Sequence, residues 1–224
     1  VGSETILDAS TENNHGTNHG AIFTTDFNGV KDGAMSFDGV DDNIDCGNDE
    51  SLNFGTGDFS VGVWLKTNYS GTYNFFIGKY PPTTTEGGWD CSVSSGQIDI
   101  VIRANSTDGT YSRVTTGHIN DNNWHYIVMT RIDNLLSVFI DGIFVGSNSN
   151  MNTDVDLSNT KNLYIGGRRE SEIFNGLISD VRIYNRALSE TEIKQLYLQK
   201  VHINNSYVSQ KDVTVDTAGN VVIN

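Results

Sequence analysis

Short apolar runs alternate with turn signals along most of this chain, too short for long helices. Residues 59–65, Phe-Ser-Val-Gly-Val-Trp-Leu, read as a long and largely apolar strand. Residues 34–37 and 43–46 flank an acidic turn, and runs at 73–79, 89–93, 98–103 and 112–118 continue the series. The clearest hairpins follow: 124–132 turns at Asp133-Asn134 into 135–140, which turns at Asp141-Gly142 into 143–145. β-Branched and aromatic residues dominate these segments, as antiparallel strands prefer. Segments 162–166 and 173–184 complete the set, whereas residues 1–20 are polar and turn-rich and predict surface loop. Roughly a dozen short strands at hairpin spacing predict an all-β sandwich or jelly roll.

One helix interrupts the pattern. Ser189-Glu190-Thr191-Glu192 is a capping box, Leu188 and Ile193 stand where a hydrophobic staple would place them, and Ile193, Leu196 and Tyr197 supply one apolar face. This predicts one short C-terminal α-helix that ends the β series. Residues 1–199 therefore read as one domain, and 200–224 as a β-hairpin tail or linker turning at Thr217-Ala218-Gly219-Asn220.

The composition fits. Among 224 residues there are 23 Gly and only 2 Pro, so the turns are built on Gly and Asn. A net charge of −14 argues against nucleic acid as a partner, whose phosphates demand Lys/Arg-rich surfaces. No apolar run approaches a membrane span, and no signal peptide is visible at Val1. Cys46 and Cys91 form no metal-type cluster; they either pair across neighbouring strands or are buried free thiols. Asp38, Asp41 and Asp42 crowd three carboxylates into five residues around Gly39. Hard oxygens this close suit a cation such as Ca²⁺, and the alternative is a solvated Asp-Gly turn.

Several segments carry a family resemblance together: Asp8-Ala9-Ser10 with Asn14-His15-Gly16, residues 34–42, Phe59-Ser60-Val61 with Trp64, Trp124-His125, residues 138–142, residues 163–167 and residues 174–189. In this order and spacing the chain resembles a laminin-G-like domain of the concanavalin A-like lectin/glucanase superfamily, in the branch common among bacterial extracellular proteins. The resemblance implies a two-sheet antiparallel jelly-roll sandwich whose concave face binds carbohydrate or protein, in an extracellular or secreted setting. It also implies a structural Ca²⁺ held by Asp38, the Gly39 carbonyl, Asp42 and Asp180, the last brought beside Asp38 by the fold. Two departures stand out. Such domains usually open on an apolar strand just before the position of Val1, so either the sequence is trimmed there or the C-terminal tail fills that edge, and Ser179-Asp180 keeps only one carboxylate where the family usually has a pair.

Because that superfamily includes glycoside hydrolases, the residues 97–103 matter. They mimic the alternation of a glucanase strand, but Gln97 stands where a glutamate is needed and cannot transfer a proton. His15, His19 and His125 form no metal or catalytic pattern. The expectation is a non-enzymatic, lectin-like module with polysaccharide or glycan as partner. Trp89, after the loop that begins at Tyr80, is a candidate platform together with Tyr80 and Tyr111, with Arg103 and Asp90 as polar neighbours; the alternative is that Trp89 plugs the loop onto the sheet. The competing class is an adhesion or protein-interaction domain on the same scaffold.

Overall fold

The computed structural model describes residues 4–81, 86–104, 111–150, 155–169, 172–202, 213–215 and 221–223. In chain order the strands are β1 (Thr5–Ile6), β2 (Gly16–His19), β3 (Ile22–Thr24), β4 (Ala34–Asp38), β5 (Asn43–Asp45), β6 (Phe59–Lys66), β7 (Asn74–Lys79), β8 (Gly88–Ser94), β9 (Gln97–Arg103) and β10 (Tyr111–His118). Then come β11 (Trp124–Ile132), β12 (Leu135–Ile140), β13 (Ile143–Asn148), β14 (Tyr164–Ile165), β15 (Gly167–Arg169), β16 (Glu172–Ile173) and β17 (Asn175–Tyr184). The helix α1 (Glu190–His202) and the strands β18 (Val213–Val215) and β19 (Val221–Ile223) close the series.

Two antiparallel sheets carry the fold. One has eight strands in the order β1-β2-β5-β14-β7-β8-β9-β10, the other seven in the order β13-β12-β11-β6-β17-β4-β3. Their facing side chains make the main core, with Phe59, Val61, Val63 and Leu65 from β6 meeting Ile98, Ile100 and Ile102 from β9. Residues of each strand that alternate with these point away from that core. At one end the sandwich is stitched shut: Thr116 Oγ1 donates to the Val145 carbonyl at 3.1 Å, and Asn148 Nδ2 to the Arg113 carbonyl at 2.9 Å.

The outer face of the seven-stranded sheet is covered by α1. Trp64, Tyr126, Val128 and Phe139 form a second cluster with Leu188 and Ile193, and Trp64 stacks between Phe27 and Tyr197. The capping box forms: the Glu192 amide donates to Ser189 Oγ at 3.3 Å, and the Ser189 amide donates back to Glu192 Oε2 at 2.8 Å. Leu188 and Ile193 are both buried, so the staple also holds. The helix runs to His202, past the expected boundary at 199.

One expectation needs amendment. The polar stretch 1–20 contributes strands β1 and β2 rather than loop alone. Its polarity misled, because Gly16 is there for space: a Cβ would meet the Ile44 side chain at 2.3 Å. The cysteines are both buried free thiols; Cys91 Sγ lies 3.6 Å from the Met129 sulfur, and burial pushes the Cys46 thiol up to about 12. β18 and β19 pair as a hairpin, while its expected turn at 217–220 lies outside the described residues.

The turn between β12 and β13 shows how a hairpin is locked. Asp141 and Gly142 both adopt positive φ, +54° and +76°, as a type I′ turn requires. Asp141 Oδ1 accepts the Tyr126 amide at 2.9 Å, and its Oδ2 lies 2.8 Å from His125 Nδ1. The His125 Nε2 reaches Asp121 at 3.1 Å. The bond to Asp141 is the main reason the pKa of His125 rises above 6.5. A histidine raised in this way binds more protons folded than unfolded, so its stabilisation is complete below the unfolded value and is lost as pH rises through the folded one. The melting-temperature deficit of His125→Gln should therefore be larger at about pH 5.5 than at about pH 8.5. Equal deficits would show that the imidazolium contributes nothing.

Candidate functional site

Alternation in β8, β9 and β10 sends one set of side chains to the core and the other to the outer face of the eight-stranded sheet. Trp89, Cys91 and Val93 go inward; Asp90 and Ser92 go outward. On β9 the outward set is Asp99, Val101 and Arg103, and on β10 it includes Tyr111, Arg113 and Thr115. The register aligns Asp90 with Val101 and Arg113, and aligns Arg103 with Gly88 and Tyr111.

Two carboxylates form the floor of this face, and arginines roof them. Asp99, 1% exposed, receives Arg113 Nε and Nη2 at 2.6 Å each and Thr115 Oγ1 at 2.8 Å. Asp90, 2% exposed, receives Arg168 Nη1 at 3.0 Å, and the same guanidinium holds Glu172 through Nη2 at 2.9 Å. Arg168 arrives from β15, which with β16 crosses this face above β7. Gly78 makes that passage possible, because a Cβ there would stand 2.8 Å from the Arg168 Cβ. The Arg168 guanidinium lies 4.0 Å from the centre of the Phe75 ring and 4.5 Å from that of Tyr80, and Arg103 lies 5.1 Å from Tyr80. Tyr80 is thus clasped by two cations.

Burial dominates the chemistry of Asp90 and pushes its pKa up to about 6, although Arg168 pulls the other way. Burial also works against the Arg168 cation, but Glu172 and Asp90 more than offset it and keep it charged. Such carboxylates fix the position and plane of the guanidinium groups that they hold.

An open groove lies over this layer. One cavity of about 230 Å³ is lined by Tyr73, Phe75, Tyr80, Arg103, Tyr111 and Arg113 among others. A neighbouring cavity of about 450 Å³ shares Tyr73, Phe75 and Arg168 with it and adds Tyr69, Val40 and Ile173. Tyr73 and Tyr111 are more than half exposed.

Four residues singled out from the sequence therefore meet in one groove, Tyr80, Asp90, Arg103 and Tyr111, but Tyr80 is buried beneath the Arg103 and Arg168 guanidinium groups and of the expected platform residues Tyr111 alone is exposed there. Trp89 does not join them. It is 1% exposed and sits in the main core against Phe54 and Phe59, with ring centroids 6.4 and 5.8 Å away. The correction has a plain cause: Trp89 and Asp90 are successive strand residues and cannot share a face. Sequence reading missed Arg113 and Asp99, which period-two alternation from Arg103 and Tyr111 would have placed on the same face. It had no signal for Arg168, Glu172 or Phe75, which come together only through tertiary contact.

At the acidic turn, ligand oxygens of Asp38, Asp41 and Asp42 lie within 4.8 Å of one another. Asp42 is buried, and its carboxylate accepts the Asp38 amide at 2.9 Å. Desolvation first, and then the neighbouring Asp38 and Asp41 charges, raise its pKa. The Oδ1 of the buried Asn43 next to it has no hydrogen-bond partner. Asp180 is not at this turn. Asn175 stands opposite Asp38, and Asp180 lies five positions further along β17, about 16 Å away at ~3.3 Å per residue. It sits in a bulge with φ +48° and pairs with Arg182 at 3.0 Å.

The laminin G-like family of the concanavalin A-like lectin/glucanases superfamily matches residues 38–194. The chain belongs to this family, and the two-sheet sandwich agrees. No curated protein sequence matches the chain. Among solved structures, the binding domain of Paraclostridial Mosquitocidal Protein 1 is similar at 19% identity and TM-score 0.65, covering 86% of this chain and 47% of that one. The botulinum neurotoxin serotype G binding domain is similar at 18% identity and TM-score 0.68, covering 96% and 51%. The serotype D ligand binding domain, in complex with N-acetylneuraminic acid, is similar at 17% identity and TM-score 0.65, covering 87% and 48%. The chain spans about half the length of these structures, and the likeness is one of fold.

Proposed function

We propose that this domain is a non-catalytic, lectin-like module of a larger extracellular protein, and that the groove over β7 to β10 binds carbohydrate. The observation that carries this reading is the groove's make-up. Exposed tyrosines stand beside arginines whose guanidinium groups are fixed by buried carboxylates, on a broad sheet face that α1 does not cover. Sugars are bound in this way, with a ring stacked on an aromatic and hydroxyls held by oriented polar groups. Binding rather than hydrolysis suits the carboxylates, since both Asp90 and Asp99 are roofed by arginine. The family and the binding-domain neighbours support the reading.

A glycan array probed with the wild-type domain and with Tyr111→Ala tests it. The wild type should be retained by at least one glycan. Tyr111→Ala should lose about tenfold or more in affinity with its melting temperature unchanged, because an exposed stacking residue contributes little to the fold. Silence across a broad panel would shift weight to a protein partner on the same scaffold.

The acidic turn fits a structural Ca²⁺ held by Asp38, Asp41 and Asp42, with the Gly39 carbonyl in the same turn. The support is the donor set: crowded hard oxygens, one of them on a buried carboxylate burdened by like charge. A cation bound only by the folded state stabilises it by mass action, so EGTA should lower the melting temperature. An unchanged melting temperature, with no metal by elemental analysis, would refute the cation.

A further inference from the structure

The groove contains three arginines in unequal circumstances. Arg113 is engaged bidentately by Asp99, and Arg168 bridges Asp90 and Glu172. Arg103 differs. Among the described residues it has no carboxylate within ion-pair distance, and its Nε is buried with no hydrogen-bond partner. Its guanidinium carbon lies 5.1 Å from the centre of the Tyr80 ring. It stands in register between Gly88, which has no side chain, and the exposed Tyr111. A guanidinium presents a planar fork of donors matched to a carboxylate, and leaving such a group half desolvated without an anion is costly.

We propose that the groove's ligand carries a carboxylate, and that it docks on Arg103 while its sugar ring lies against Tyr111. This rests on the carbohydrate reading above and narrows it to acidic sugars. The charge balance narrows it again. Three arginines face three carboxylates in the groove, and the whole chain carries −14, so a densely charged polyanion is repelled. The ligand that fits has one carboxylate, or widely spaced ones, on an otherwise neutral saccharide. Sialic acids and uronic acids both supply that chemistry.

Matched pairs of oligosaccharides test the proposal on the wild-type domain: sialyllactose against lactose, and a glucuronate-terminated oligosaccharide against its methyl ester. The expected result is a preference of about tenfold or more for the carboxylate in at least one pair, as a charged hydrogen-bonded pair provides. Whichever pair shows it identifies the source. That preference should shrink as salt rises. It should vanish in Arg103→Gln, and Arg103→Lys should restore part of it, because an ammonium keeps the charge without the fork. Equal binding of acid and neutral partners, or a preference that survives in Arg103→Gln, overturns the acidic-sugar assignment and leaves the carbohydrate reading standing. Absence of binding to these glycans and to a broad neutral panel overturns both. The matched pairs are read on unaltered protein, so a poorly folding variant does not blunt the test.

Discussion

Trp89→Ala should lower the stability of this domain by roughly 3–5 kcal/mol, as large aromatic truncations in packed cores do. The side chain is among the largest fully buried groups in the molecule, and it fills the space between Phe54, Phe59 and the β9 isoleucines. Alanine leaves a cavity bounded by the rigid β8–β9 ladder, which cannot collapse around it. Urea unfolding checks the expectation, with a lower midpoint at an unchanged slope marking a stability loss alone. A variant as stable as the wild type would mean that Trp89 is not packed as described. Glycan retention by folded Trp89→Ala at low temperature should persist, because the residue points away from the groove.

That residue also marks the limit of what the sequence disclosed. The strands β6, β11 and β12 were legible because they are apolar runs rich in β-branched and aromatic residues, and Asp-Gly chemistry marks the turn after β12. The helix was legible because capping is local. What failed was facing. A tryptophan after a loop reads as exposed until its strand's phase is fixed, and the phase of β8 is fixed by neighbours distant in sequence. Asp180 failed for a related reason: a bulge in β17 and the register to β4 decide its position, and neither leaves a mark on the residues around it. Half the groove was missed because Arg168 and Glu172 lie about 80 residues downstream of Asp90, and only the close approach at Gly78 brings them over the sheet.

Arg168→Met should cost roughly 2–3 kcal/mol near pH 7, less than the ~3–5 kcal/mol usual for stripping one partner from a buried pair, because Asp90 takes up a proton instead. The sign of the pH dependence follows from Asp90. In the folded wild type its pKa stands at about 6 against an ordinary 3.8, so the folded state holds more protons over that interval and stability falls as pH rises through it. Without Arg168 the folded value moves higher and the interval widens upward. The deficit of the variant should thus be largest at neutral pH or above and shrink toward about pH 5, where Asp90 is protonated in both proteins. Chemical denaturation across that range checks this, and a deficit independent of pH would mean that Arg168 acts through packing on Phe75 and Tyr80 rather than through Asp90.

The location of the binding site is the central claim, and it is most directly read by amide and side-chain chemical-shift mapping with a glycan retained on the array. Perturbations should concentrate on the outward residues of β7 to β10 and on the Arg103, Arg113 and Arg168 guanidinium signals, leaving the α1-covered face of the other sheet unchanged. Perturbations confined to the strand ends, or to the face beneath α1, with the groove silent, would contradict the account.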